Sequence, residues 1–189
     1  MASTQLAWDC KKVLNEHGFL QRRFTATNLL LYEHFILGAI EEGYQVDSVY
    51  TDFSKAFDRV NHGILLTKLE HLGFSKIWLK WLHSFLNDRV QIVKYGDSVS
   101  SEFRVPSGVP QGSHCGPILF NLFFIDLPQV IKHYRILIYT DDVKIFGRMR
   151  TVNDCLLLQQ DIDRFFPWYE DNFMDVNVSK CNQISFLDH

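Results

Sequence analysis

The sequence predicts an α+β domain on an antiparallel sheet of the split β-α-β-β-α-β kind, with helices packed on one face. Three observations carry that expectation. Residues 135–146, Arg-Ile-Leu-Ile-Tyr-Thr-Asp-Asp-Val-Lys-Ile-Phe, set two short apolar runs on either side of Thr140-Asp141-Asp142, which is how a β-hairpin with an acidic tip is written. Residues 45–53, Gln-Val-Asp-Ser-Val-Tyr-Thr-Asp-Phe, read as a strand through Val46, Val49 and Tyr50, with Asp52 at its C-terminal end. The segments around these runs carry apolar residues at helical spacing, so strands and helices are mixed along one chain.

In order, Leu29, Leu30, Phe35, Ile36, Ala39 and Ile40 predict a helix from Thr27 that Gly43 stops. Two further helices are expected over 62–71, closed by Gly73, and over 75–87, where Ser75 is the N-cap candidate and Trp78, Leu79, Leu82, Phe85 and Leu86 the buried stripe. Residues 90–105 alternate as a hairpin around Gly96-Asp97. A glycine- and proline-rich loop then opens a helix over 118–127, apolar almost all round and so expected to be buried, with Pro117 in its first turn. Residues 151–172 read as a helix with Leu156, Leu157, Ile162, Phe165 and Phe166 inward, kinked or ended by Pro167. Residues 1–15 support no assignment, and 16–189 read as one domain without repeat, linker or low-complexity tract.

Composition narrows the function. Of 189 residues 47% are hydrophobic, enough for a core, and no apolar run reaches the roughly 18 residues of a membrane span. The N-terminal residues lack the pattern of a secretory leader. The four cysteines form no C-x-x-C and the eight histidines no zinc spacing, which points to reduced thiols and an intracellular protein.

An Asp-Asp pair in a turn serves backbone conformation as readily as metal binding. Asp52, 89 positions before Asp141, supplies a third carboxylate at a strand end. Three carboxylates at one sheet edge could hold two Mg²⁺ roughly 3.5–4 Å apart, the arrangement that stabilises attacking and leaving oxygens in phosphoryl transfer.

The class is resolved by residues 50–62, Tyr-Thr-Asp-Phe-Ser-Lys-Ala-Phe-Asp-Arg-Val-Asn-His, with Gly-Val-Pro-Gln-Gly-Ser at 108–113 and Tyr-Thr-Asp-Asp-Val-Lys-Ile-Phe at 139–146. These resemble motifs A, B and C of the reverse transcriptases of non-LTR (LINE-type, jockey-like) retrotransposons, in the family's order and spacing. The resemblance runs from about His17 to Phe186. It implies a polymerase palm that uses an RNA template, a DNA primer and deoxynucleoside triphosphates with two Mg²⁺, or Mn²⁺, and works in the nucleus or a cytoplasmic ribonucleoprotein. By the same resemblance Asp52, Asp141 and Asp142 are the metal ligands and catalytic carboxylates, and the backbone at Phe53 faces the triphosphate. Phe57, five residues past Asp52, takes the place of the aromatic gate under the sugar. Gln111 and Gly112 lie where the nascent pair and template pass, Tyr139 belongs to the substrate-binding set, and Lys180 in a motif-D-like segment is the expected proton donor to pyrophosphate. Arg22 and Phe24 depart from the family's glycine and serine before motif A, and Phe124-Ile125-Asp126 departs from its usual Ile-Asn-Asp.

A net charge of −3, from 19 lysines and arginines against 22 carboxylates, is low for an enzyme that grips phosphates. It fits a palm whose basic fingers hairpin, thumb or endonuclease segments lie elsewhere in a parent element. The alternative reading is a non-catalytic retroelement remnant serving as an RNA- or protein-binding module, or without function.

Overall fold

The computed structural model describes residues 25–187. The unassigned segment 1–15 and the Gly-Phe segment with its Arg22 and Phe24 lie outside the described residues. The chain divides into two compact units, one joining the residues up to Ser54 with those from Phe124 onward, the other spanning Lys55–Phe123.

The first unit holds helix α1 (Thr25–Glu41), strand β1 (Gln45–Asp52), the hairpin β6 (Arg135–Tyr139) and β7 (Asp142–Met149), helix α6 (Val152–Asp171) and strand β8 (Asn182–Phe186). Its sheet is ordered β6-β7-β1-β8, and every pair is antiparallel, the order a split β-α-β-β-α-β chain produces. The class is thus the predicted mixture of helices and antiparallel sheet.

The placement of the helices is not as predicted. Pairings Ser48 with Phe146 and Val46 with Phe186 put these side chains on one face, where Tyr32, Ile36 and Ala39 of α1 pack against Val46, Leu137 and Phe146. Residues of the other parity meet α6: Phe53 packs on Phe165 at 6.0 Å and Trp168 at 6.5 Å. Both faces are therefore covered, because both sets of alternate side chains on β1 and β7 include large apolar groups.

Helix α1 ends at Gly43, whose φ of +75° suits a residue without a Cβ. It buries Asn28, Tyr32, Ile36 and Ala39, with Phe35 and Ile40 packed beside them, so that of the predicted stripe only Leu29 and Leu30 are exposed. Helix α6 starts with a reciprocal capping box, in which Thr151 accepts from the Asp154 N–H and the Asp154 carboxylate accepts from the Thr151 N–H. Its inward face is Leu158, Asp161, Phe165 and Trp168, while the predicted Leu156 and Phe166 are exposed. Pro167 neither ends nor interrupts the assigned helix. It removes one backbone bond, and the packing of Phe165 and Trp168 carries the last turn past it.

Asp161 was not singled out in the sequence, yet it is fully buried. Its carboxylate accepts the N–H groups of Lys132, His133 and Tyr134 at 2.8–2.9 Å and the Arg164 guanidinium at 2.7 Å. A buried charge is tolerable only with such partners. The clamp fixes the chain entering β6, and thus the hairpin that carries the acidic tip.

The second unit contains α2 (Ala56–Arg59), α3 (His62–His71), α4 (Lys76–Leu86), the two-residue strands β2 (Val90–Gln91), β3 (Lys94–Tyr95), β4 (Ser98–Val99) and β5 (Phe103–Arg104), and α5 (Cys115–Phe123). Asn61 caps α3 through the Ile64 N–H at 3.1 Å, and Gly73 closes it at φ +88°. Ser75 does precede α4, but its side chain makes no capping bond. Helix α4 buries Leu82 and Leu86 of the predicted stripe, leaves Leu79 and Phe85 half-buried, and exposes Trp78, the one member that departs from it. The predicted hairpin over 90–105 is two short ladders, β2 with β5 and β3 with β4, in which every strand residue is exposed. Helix α5 starts earlier and ends earlier than expected, and Ile118 is exposed.

Candidate active site

Strand β1 ends at Asp52 and β7 begins at Asp142, and these two residues are direct partners in the antiparallel register. Being paired, they project from the same face, the face shared by Ser48, Tyr50, Lys144 and Phe146. Tyr139 of β6 is the partner of Asp142 on its other side. Between them the tip turns at Thr140, which takes a left-handed φ of +56°, and Asp141 follows in the turn. The Phe53 N–H donates to the Asp141 carbonyl at 3.4 Å, so the chain leaving β1 is tied to the tip.

The cluster is electrostatically loaded. Burial, then Asp141, then Asp52 push the Asp142 carboxyl above its ordinary value. Beneath it Lys144, half-buried, is held below the usual lysine value by desolvation, and its ammonium bonds to Asn28 Oδ1 at 3.3 Å while lying over the Tyr32 and Tyr50 rings. Tyr50 donates to the Tyr32 hydroxyl at 2.8 Å, which donates to Ser48 Oγ at 2.6 Å. This polar row under the carboxylates was missed in the sequence. Its signal is parity: Ser48, Tyr50 and Asp52 alternate on one strand as Asp142, Lys144 and Phe146 do on the other.

Lys180 reaches the same place from a 3₁₀ turn at Val178–Lys180. The Asp52 carbonyl accepts the Asn177 N–H at 2.8 Å, and the Lys180 ammonium then sits 3.0 Å from Asp52 Oδ2. That carboxylate is the main cause of the raised Lys180 value. An open groove of about 600 Å³ is lined by Tyr50, Asp52, Asp142, Lys144, Lys180 and Asn182, among others.

The geometry fits a hard divalent cation in donor type, though not as a closed cage. Asp52 and Asp142 offer carboxylate oxygens from facing positions, and the raised Asp142 marks negative charge that a cation would relieve. Among the described residues no three His, Cys, Asp or Glu side chains close on one point as a metal ligand set. The Thr140 hydroxyl engages Asp141 Oδ1 at 2.8 Å and Lys180 engages Asp52, so these two carboxylates are turned to protein partners.

The remaining predicted residues fall in different settings. The Phe53 side chain is buried in the aromatic core with Phe124 and Trp168, and only its backbone stands at the tip. In the second unit Phe57 is half-buried and stacked on Phe120, ring centroids 4.2 Å apart. Gln111 donates to Asp58 Oδ1 at 3.2 Å. Gly112 has φ +80° with open space at its missing Cβ. At Gly108, φ +83°, a Cβ would stand 2.7 Å from the Asp58 backbone, so only glycine fits. The His62 ring and Arg89 converge on the Gly108 carbonyl at 2.8 and 2.9 Å, fixing the loop before Gln111.

A four-stranded antiparallel sheet covered by helices, with aspartates meeting at one end of its central strands, defines the palm class of nucleotide polymerases. Comparison with known proteins makes the assignment specific. Residues 14–186 match the family described as reverse transcriptase (RNA-dependent DNA polymerase), and the chain belongs to that family. It is 30% identical over 181 residues to the RNA-directed DNA polymerase from mobile element jockey of Drosophila melanogaster, covering 92% of this chain and 20% of that protein. It is 30% identical over 177 residues to the probable RNA-directed DNA polymerase from transposon X-element of the same species, covering 91% and 19%. The chain thus spans about a fifth of the length of these relatives. Its fold is similar to that of apo telomerase from Candida tropicalis, with a TM-score of 0.70 at 14% identity over 100% of this chain and 40% of that one. Telomerase from Candida albicans, in complex with a fragment of telomeric RNA, gives a TM-score of 0.70 at 13% identity over 97% and 34%. No helix among the described residues is long and apolar enough to cross a membrane.

Proposed function

We propose that this chain is the palm portion of an RNA-directed DNA polymerase, extending a DNA primer on an RNA template from deoxynucleoside triphosphates. The observation that carries the proposal is the register pairing of Asp52 with Asp142 on one sheet face, beside the Asp141 turn, in a chain of the reverse transcriptase family. Membership and intact aspartates favour a polymerase over a non-catalytic remnant.

Asp52, Asp141 and Asp142 would hold two Mg²⁺, or Mn²⁺, which when bound supply Lewis-acid stabilisation of the attacking and leaving oxygens. The protein's own groups orient the reactants. The strand end at Asp52 and the backbone at Phe53 present the triphosphate, and Tyr139 flanks Asp142 on the neighbouring strand. Phe57, held by its stack on Phe120, is the candidate that rejects a 2′-hydroxyl. Gln111 and Gly112 are assigned to the nascent base pair and template. Lys180 gives a proton to the departing pyrophosphate once its ammonium leaves Asp52. Further segments of a longer protein complete the grip on the duplex, and a nuclear or ribonucleoprotein setting follows from that substrate.

Primer extension on poly(A)/oligo(dT) with Mg²⁺ or Mn²⁺ tests the reading. Incorporation of dTMP that Asp141→Asn abolishes is the expected result. Equal incorporation by the native chain and Asp141→Asn overturns it.

A further inference from the structure

The proposed chemistry gives roles to Phe57 and Gln111 but none to His62. That residue opens α3, directly after the Asn61 cap, and is only 5% exposed. Its Nε2 lies 2.8 Å from the Gly108 carbonyl oxygen. A carbonyl only accepts, so the proton in that bond sits on Nε2, and Nδ1 is left as a buried nitrogen without a hydrogen-bond partner among the described residues. A ring kept only to fill space would serve better as phenylalanine, which strands no nitrogen in a dry interior. The histidine is explained by the one bond it makes.

That bond lies at the centre of a joint between the segment that carries Phe57 and the loop that carries Gln111. The Gly108 N–H donates to the Val60 carbonyl at 2.8 Å, the Val109 N–H to the Phe57 carbonyl at 2.9 Å, and Ser107 Oγ to the Asp58 carbonyl at 2.8 Å. A Cβ on Gly108 would stand 2.8 Å from the carbonyl oxygens of Phe57 and Asp58, so the two backbones touch with nothing between them. Arg89 Nη2 gives the Gly108 carbonyl a second donor at 2.9 Å, and Gln111 reaches back to Asp58 Oδ1 at 3.2 Å. The Phe57 backbone is therefore tied to the loop, while its ring is held by the stack on Phe120. Because His62 grips the loop from a capped helix, the placement of Phe57 and Gln111 relative to each other depends on it.

We infer that His62 is a positioning residue for sugar selection: its Nε2–H holds the Gly108 carbonyl, and through the loop it sets where the Phe57 ring and Gln111 stand. The inference rests on the polymerase reading for the roles of Phe57 and Gln111, and it adds a residue that itself touches no substrate. Rejection of a 2′-hydroxyl is a steric contact, and a small displacement of the ring relaxes it.

Incorporation of UTP against dUTP on poly(A)/oligo(dT) tests it, in the native chain and in His62→Phe, which keeps a ring and removes the bond. The ribo-to-deoxynucleotide ratio should rise about threefold in His62→Phe, with KM for dUTP raised more than kcat is lowered. His62→Gln, whose amide can donate to the same carbonyl, should restore most of the native ratio. Added to Phe57→Val, His62→Phe should raise the ratio no further than Phe57→Val does alone, because one residue acts through the other. Should His62→Phe not fold, Ser107→Ala decides: it removes the bond to the Asp58 carbonyl at the same joint, and an unchanged ratio there overturns the inference. A native ratio in folded His62→Phe overturns it outright, as does an additive rise in the double variant. Equal relaxation by His62→Phe and His62→Gln assigns the effect to ring packing and overturns the role of the bond. Asp141→Asn separates the two readings. Extension that Asp141→Asn abolishes, with a ratio that His62→Phe leaves unmoved, removes the assignment of His62 and leaves the polymerase. A native chain that extends no primer with either nucleotide removes the polymerase and the sugar selection with it.

Discussion

The strand ends at Asp52 and Asp142 and the ladders over 90–104 are both antiparallel pairings, but they are built on different physics. Strands β1 and β7 pair over eight positions, with Phe146 buried on one face and Val143 and Ile145 on the other. The ladders pair over two positions each, and all eight of their strand residues are exposed. Two-stranded ribbons of that kind are marginal alone. Positional accuracy is thus concentrated where chemistry needs it, and the ladders are left as surface.

Substitutions can break or sharpen that contrast. The largest effect is expected at the tip: Asp52→Asn should lower incorporation in the primer-extension assay roughly a hundredfold or more while the thermal midpoint stays close to native. A comparable loss from Tyr95→Ala would erase the distinction between tip and ladder. For stability, Phe53→Ala, which opens the aromatic core behind β1, should cost about 3–5 kcal/mol in urea unfolding. Tyr95→Ala, at 87% exposure, should stay within about 0.5 kcal/mol. Replacing Phe57 by Val should raise the ribo-to-deoxynucleotide ratio by about tenfold, a difference of about 1.4 kcal/mol in relative barrier. An unchanged ratio assigns the ring to its stack on Phe120 alone.

The smallest effect concerns pH. Because the Asp142 carboxyl is raised in the folded chain, the native state binds more protons than the unfolded state between the ordinary value of 3.8 and the raised one, so stability falls as pH rises through that window. Asp142→Asn removes the ionised group and should raise the thermal midpoint slightly at pH 7. The gain should fade as pH approaches the ordinary value, and a gain that grows on acidification contradicts the assignment.

Strand-end aspartates were legible because a strand of alternating β-branched residues that stops at Asp writes both its pairing and its polar end. Helix ends were legible where glycine was required, at Gly43 and Gly73. Helix faces were less so. In α1 the run Leu29-Leu30-Leu31 offers three equally apolar neighbours, and only the sheet selects Tyr32, whose hydroxyl reaches Ser48. In α4 tryptophan suggests a core that burial does not bear out. The contact of Lys180 with Asp52 and the clamp at Asp161 were invisible, since each depends on a carboxylate meeting groups that only the tertiary fold brings to it.

Asp52 and Asp142 stand ninety positions apart in the chain, whereas the clamp at Asp161 spans fewer than thirty. Loop closure disfavours the longer pairing, so β6, β7 and α6 can assemble early and β1 must dock on them late. The acidic edge is then among the last parts of the molecule to form during folding. Pulsed hydrogen exchange should find the amides that join β7 to β6 protected before those that join β7 to β1, which puts the birth of the site at the end of the folding reaction.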